Sequence, residues 1–175
     1  LPQALEPERL LAAWRVVTAR HPALRTQFHW EHGDTPMQVH VPAVEPHLDV
    51  RDLSHVPEAD RPGLIARFLE EDRGAGFDLA TAPLWRVTLF RFGDRDQRLV
   101  WSYSHAILDA CYAQVLEEVF ATYEGRDHPT EPRAAYGEYL QWLTAHISEC
   151  AEEATRFWTQ RLAGFGTPTR LVGAE

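Results

Sequence analysis

Apolar residues recur at helical spacing near the start of the chain. Leu10, Trp14 and Val17 lie close to one stripe, because residues three and four apart share a helix face. Pro22 cannot continue a helix, so it marks the end of the pattern. The sequence therefore predicts a first helix over residues 7–21.

The pattern then changes from helical spacing to extended segments. Residues 25–30 and 37–41 are rich in aromatic and β-branched side chains, and Gly33 and Asp34 between them favour a turn. This arrangement predicts a β-hairpin.

A loop and a second helix are expected next. Pro42, Pro46 and Asp52 are typical of a loop, and a proline start followed by helical spacing predicts an amphipathic helix over residues 57–73. The glycines that follow close this helix. Its apolar residues share one side: Leu64, Ile65, Phe68 and Leu69.

Two apolar runs, residues 84–92 and 98–103, have the composition of central, paired strands. The second run leads directly into His105. Beyond Asp109 the spacing is helical again and stops at Gly125. The histidine is therefore expected where a strand gives way to a helix.

The remaining chain predicts two helices, over residues 134–147 and 152–164, with no linker to a second domain. Helices mixed with paired strands predict an α/β sandwich, also describable as α+β, in which helices cover a mixed sheet. Tryptophans with apolar neighbours are expected to pack in the core. They are Trp14, Trp85, Trp101, Trp142 and Trp158.

Composition narrows the class of protein. The 175 residues are 45% hydrophobic, which is enough for an ordinary core, and one compact lobe is expected. The net charge of −9 argues against nucleic acid and against an anionic membrane as partners. Two cysteines do not make a disulfide framework or a zinc site, and no run approaches the roughly 20 apolar residues of a membrane span. A cytoplasmic location is expected.

His105 is the candidate for chemistry. A histidine at the end of a strand is rigidly supported, and imidazole exchanges protons near neutral pH. Asp109 has three possible roles: to accept a hydrogen bond from the imidazole, to cap the following helix, or to pair with an arginine. A polar pair at this spacing also occurs by chance, and a metal site would need a third ligand. We expect neither a metal nor a bound cofactor.

Several stretches, taken together and in this order, resemble the condensation domains of nonribosomal peptide synthetases. They are residues 20–28 (RHPALRTQF), 77–86 (FDLATAPLWR), 104–110 (SHAILDA), 136–142 (YGEYLQW) and 157–164 (FWTQRLAG). The resemblance implies the chloramphenicol acetyltransferase-like fold, in which two similar lobes form a V. Residues 1–175 would be the first, N-terminal lobe of such a domain, truncated at both ends and lacking the second lobe.

The resemblance also implies roles for residues of the 104–110 stretch. The family motif has two consecutive histidines, three further residues, then Asp and Gly. His105 matches the second histidine, which handles the nucleophile, and Asp109 matches the aspartate that braces the loop through an arginine. Ser104 replaces the first histidine and Ala110 replaces the glycine. If the backbone φ at Ala110 were positive, its methyl group would cost roughly 1 kcal/mol of strain.

The resemblance leaves several functions open. The family joins two acyl groups tethered through phosphopantetheine to carrier proteins, so carrier proteins and neighbouring synthetase domains are the expected partners. The altered motif is also what a catalytically degenerate domain would have if it serves as a platform that recruits a carrier protein or an enzyme. Epimerisation domains, and acyltransferases that use a freestanding thioester or a hydroxyl acceptor, share the fold.

Overall fold

The computed structural model describes residues 4–30, 36–93, 95–126 and 136–167. The chain falls into two compact units, Leu1–Thr130 and Glu131–Glu175, where the sequence predicts one lobe without an internal boundary. The described part of the second unit is built on one long helix, whose backbone hydrogen bonds are satisfied within the helix itself.

The helices of the first unit are α1 (Pro7–Arg20), α2 (Arg61–Ala75) and α3 (Tyr112–Glu124). Its strands are β1 (Thr26–His29), β2 (Met37–His40), β3 (Leu48–Asp52), β4 (Trp85–Arg91) and β5 (Gln97–Tyr103). Short 3₁₀ turns at Pro22–Arg25 and Glu58–Asp60 precede β1 and α2. The helix of the second unit is α4 (Tyr136–Arg161).

The main sheet is mixed, with the strand order β3-β4-β5. Strands β3 and β4 run parallel, and β4 and β5 run antiparallel, with Trp85 opposite Tyr103. The predicted mixed sheet is confirmed. The prediction that both apolar runs are central is confirmed only for β4, because β5 is an edge strand among the described residues.

Strand β3 is a correction, since the sequence predicts a loop there. Its five residues include Asp49, Arg51 and Asp52, and charged residues at this density are unusual in strands. The strand forms because Leu48 pairs with Val87 of β4, a contact distant in sequence. Local propensity carries no signal of such a pairing.

The predicted hairpin strands are present. Strands β1 and β2 pair antiparallel, with Thr26 opposite His40, while the expected turn at Gly33 and Asp34 lies outside the described residues. Helix α2 begins at Arg61, later than residue 57, because a 3₁₀ turn occupies the residues just before it.

The main sheet lies between helices. Helices α1 and α3 pack on one face, where Trp14 of α1 is 4.9 Å from Trp85 and 5.1 Å from Trp101, ring centre to ring centre. Helix α2 covers the opposite face, with Phe68 edge-on to Phe90 at 4.9 Å. The predicted sandwich of helices over a mixed sheet is confirmed.

Helix α4 corrects two predictions. It is one continuous helix where the sequence predicts two. Trp142 and Trp158, expected in the core, are 58% and 55% exposed. An apolar stripe predicts which face a helix can bury, but it does not supply the surface that would cover that face.

An ion pair fastens α2 to the sheet. Arg86 of β4 binds the carboxylate of Asp72 and donates to the backbone oxygen of Gly76 at 2.8 Å. Burial raises the pKa of the Asp72 carboxyl, but hydrogen bonds from Arg86 and Ser102 and the charge of Arg86 outweigh burial. The net result is a pKa below the ordinary 3.8.

The Asp72 pair predicts an acid-sensitive contribution to stability. A carboxyl whose pKa is lowered by folding stabilises the fold fully above its unfolded pKa, and this contribution is lost as the pH falls through the folded pKa. We expect Asp72→Asn to lower the free energy of unfolding by about 1–3 kcal/mol at pH 7, and the difference from wild type to shrink towards pH 2. Urea unfolding across this pH range measures both effects.

A matched control is Asp49→Asn, which breaks the exposed pair between Asp49 and Arg51. Exposed pairs contribute little, so this change is expected to cost less than about 1 kcal/mol. Equal losses in the two variants would contradict the role assigned to Asp72.

Candidate active site

The residues at 104–111, called the motif loop below, connect β5 to α3. The loop begins as a continuation of the sheet, since the backbone N–H of Ser104 donates to the backbone oxygen of Leu84 at 2.9 Å. The side chain of Leu84 is fully buried. The start of the loop is therefore held by the core.

The rest of the motif loop is held at three further points. The N–H of Ile107 donates to the oxygen of Ser104 at 3.1 Å, which closes a turn. The side chain of Leu108 is buried in the core. The N–H of Tyr112 donates to the oxygen of Asp109 at 3.2 Å as α3 begins. The loop is thus anchored along its length, although several of its side chains face outward.

Ser104 supports the turn. Its half-buried hydroxyl oxygen accepts a hydrogen bond from the backbone N–H of Ala106 at 3.3 Å. Serine commonly makes such short-range bonds to nearby backbone. The hydroxyl therefore acts within the loop, and the described residues show no contact between it and the imidazole of His105.

His105 is exposed two residues after the end of β5, in the strand-to-helix junction that the sequence predicts. Its ring lies edge-to-face with the ring of Tyr103, with centres 5.7 Å apart and planes at 83°. Among the described residues, the imidazole of His105 contacts the ring of Tyr103 and forms no hydrogen bond. Neither ring nitrogen has a hydrogen-bond partner among the described residues.

Asp109 is exposed four residues further on. Among the described residues, its carboxylate neither bonds to His105 nor pairs with an arginine, and α3 has no side-chain cap at its start. Its charge acts on the phenol of Tyr103. Asp109 and His105 thus lie on the same loop, and the described residues show no bond between them.

Ala110 is exposed and its backbone φ is not positive. Strain from a methyl group arises where φ is left-handed, which favours glycine. The methyl group of Ala110 therefore causes no backbone strain of this kind. Replacement of the family's glycine is compatible with the backbone of this loop.

Tyr103 is a site residue that the sequence reasoning does not single out. It is the last residue of β5, and its ring contacts Trp101 at 4.9 Å and Tyr112 at 6.2 Å in addition to His105. Burial raises the pKa of its phenol, and the nearby Tyr112 and Asp109 raise it further. Its place two residues before His105 was the available signal, but β5 ends at Tyr103, so the alternation of strand faces does not by itself predict the contact.

An open groove of about 450 Å³ adjoins the motif loop along β5 and α3. Its lining is mostly aromatic and aliphatic: Gln97, Leu99, Trp101, Tyr103, Tyr112, Leu116 and Phe120.

In the described part of the chain, no three His, Cys, Asp or Glu side chains are grouped so as to hold a metal ion. Nor does any described helix have the length and hydropathy of a membrane span.

The fold and the motif loop define a class of protein. A mixed sheet between helices presents an exposed histidine at the junction of β5 and α3. The family model described as "Condensation domain" matches residues 1–174. The chain belongs to the condensation domain family.

Individual relatives agree with this assignment. A linear gramicidin synthase protein of Brevibacillus parabrevis is 38% identical over 97% of this chain, which spans 3% of that protein. The SgcC5 protein of Streptomyces globisporus has a TM-score of 0.79 and 29% identity over 99% of this chain, equal to 40% of its own chain. The X-domain from teicoplanin biosynthesis, solved in complex with OxyB, has a TM-score of 0.74 and 25% identity over 97% of this chain and 38% of its own.

The geometry at Ala110 predicts that restoring the family's glycine does not stabilise the loop. Glycine gains conformational freedom in the unfolded chain, so Ala110→Gly is expected to lower the free energy of unfolding by about 0.4–1 kcal/mol. Chemical denaturation of the 175-residue chain measures the change. A variant more stable than wild type would show that the alanine is strained.

Proposed function

We propose that the chain is the first lobe of a condensation domain and that, with a second lobe, it forms an amide bond within a nonribosomal peptide synthetase. The donor is an acyl or peptidyl group and the acceptor an aminoacyl group, each tethered as a thioester to a carrier protein. The observation that carries the proposal is the exposed His105 on an anchored loop, in a chain that matches the condensation family over residues 1–174.

The reaction needs positioning and the transfer of one proton. The acceptor amine attacks the donor thioester carbonyl, the C–N bond forms and the C–S bond breaks. The proton lost by the amine ends on the departing thiolate, which leaves as a thiol. Because a thioester is already activated, holding the two groups together supplies much of the rate. His105 accepts the proton from the amine or orients its lone pair.

The other residues of the motif loop have supporting roles in this proposal. Ser104 closes the turn through its hydroxyl group, which fits a structural rather than a proton-transferring role for the histidine it replaces. Asp109 is exposed and its carboxylate makes no hydrogen bond or ion pair with a described residue, which leaves it open to an arginine of the second lobe. Ala110 fits the backbone of the loop as glycine would.

Carrier proteins and neighbouring synthetase domains are the proposed partners, and the cytoplasm is the proposed location. The substrates arrive on the phosphopantetheine arm of the carriers. The chain has a net charge of −9, so an acidic carrier protein requires a local patch rich in arginine at its docking surface.

A second candidate function is a recruitment platform that has lost the condensation reaction. Two observations favour it. Ser104 cannot titrate as the family's histidine does. One structural relative, the X-domain from teicoplanin biosynthesis, is solved in complex with OxyB. On this alternative the same fold serves for docking.

Exchange of the motif residues separates the two functions. We expect His105→Ala in the complete condensation domain to slow amide formation between the native aminoacyl carrier proteins by about 10²- to 10⁴-fold, because a proton acceptor is lost. Ser104→His is expected to retain or increase the rate. Intact-protein mass spectrometry of the acceptor carrier measures the product.

The matched control is His55→Ala, which removes an exposed histidine outside the motif loop and is expected to leave the rate unchanged. Circular dichroism first verifies that each variant is folded. A wild-type domain that forms no product, even with Ser104→His, would favour the recruitment platform.

A further inference from the structure

A continuous series of aromatic rings runs from the buried core to His105. Trp85 and Trp14 are stacked in the core with ring centres 4.9 Å apart, and Trp14 lies 5.1 Å from Trp101. Trp101 lies 4.9 Å from Tyr103, which in turn lies 5.7 Å from His105. The ring of Tyr103 therefore packs against Trp101 on one side and contacts the imidazole of His105 on another.

The contact between Tyr103 and His105 has the geometry of a specific aromatic pair. Their planes stand at 83°, and edge-to-face packing is a preferred arrangement of aromatic rings because the positive edge of one meets the negative face of the other. Tyr112 flanks the tyrosine ring on another side at 6.2 Å. These contacts limit the rotation of the Tyr103 ring and define the surface offered to His105.

Other groups near His105 do not share this task in the described structure. The Ser104 hydroxyl is engaged with the N–H of Ala106, and Asp109 makes no bond to the imidazole. Histidines in active sites are commonly oriented by a hydrogen bond to the nitrogen remote from the substrate. Within residues 95–126, the contact that the imidazole makes is with the ring of Tyr103.

We propose that Tyr103 is the positioning residue for His105, and that it acts through its aromatic ring. This inference rests on the proposed role of His105 in amide formation. The contact with the imidazole is made by the aromatic ring, so the phenol hydroxyl is expected to be dispensable.

The test compares Tyr103→Phe, which keeps the ring, with Tyr103→Leu, which keeps an apolar side chain but removes the ring. Both are made in the complete condensation domain labelled with ¹³C-histidine, and His105→Ala identifies the His105 ring signals by their loss. We expect the phenylalanine variant to retain the wild-type chemical shifts of these signals. The leucine variant is expected to move them, because the ring current of Tyr103 is gone.

Kinetics provide the second measurement. We expect Tyr103→Leu to lower kcat by up to about 10²-fold, the cost of a misplaced catalytic group, with KM for the acceptor carrier protein unchanged. Tyr103→Phe is expected to retain the wild-type kcat. A loss of folded protein would also lower the apparent kcat with KM unchanged, so circular dichroism first gives the folded fraction of each variant and kcat is expressed per folded domain. If the leucine variant does not fold, Tyr103→Met repeats the comparison with another ringless side chain.

The outcomes distinguish this inference from the function on which it rests. His105 signals that do not move in the ringless variant would overturn the contact in solution, whatever the activity. Signals that move without a loss of kcat would overturn the positioning role. Full amide formation by His105→Ala would instead overturn the proposed function, and the role of Tyr103 in it.

Discussion

The packing of Trp14 against Trp85 and Trp101 is the interaction on which the first unit depends. It joins α1 to β4 and β5 at the same point of the sheet, and Trp14 and Trp85 are almost fully buried. Helix α3 packs on the same face and belongs to the same core. Since the motif loop connects β5 to α3, both of its ends are fixed by this packing.

The exposed position of His105 follows from this arrangement. The backbone of the loop continues the sheet at Ser104, and the buried Leu108 holds its middle. Between these anchors Ile107 packs against the core, while His105 and Ala106 are exposed, so the histidine faces outward from a rigid support. A histidine on a mobile loop would lose entropy each time it met a substrate, and the anchors reduce that cost.

The two departures from the family motif differ in their physical consequences. Ala110 occupies backbone that alanine adopts without strain, so this substitution leaves the loop intact. Ser104 removes a ring that titrates and supplies a hydroxyl that serves the turn. Support for His105 then comes from Tyr103, on the strand side of the loop. The altered motif is therefore compatible in structure with a working histidine, and the choice between enzyme and platform depends on chemistry at His105.

The sequence alone determined the elements whose signal is local. Helices α1 and α3, the paired strands β4 and β5, and the junction that holds His105 follow from the spacing of apolar residues and from breakers such as Pro22 and Gly125. The resemblance of residues 104–110 to a known motif identified His105 and Asp109 as candidates.

The tertiary structure decided the features that depend on contacts between distant residues. Strand β3 exists because a parallel partner, β4, lies beside it, and its own charged sequence predicts a loop. Trp142 was expected in the core and is exposed, since a stripe on a helix does not show whether a surface covers it. The contact of Tyr103 with His105 and the absence of strain at Ala110 are matters of ring planes and backbone angles. The spacing of residues along the sequence predicts neither the ring contact nor the backbone angle, because both are set by tertiary packing around the motif loop.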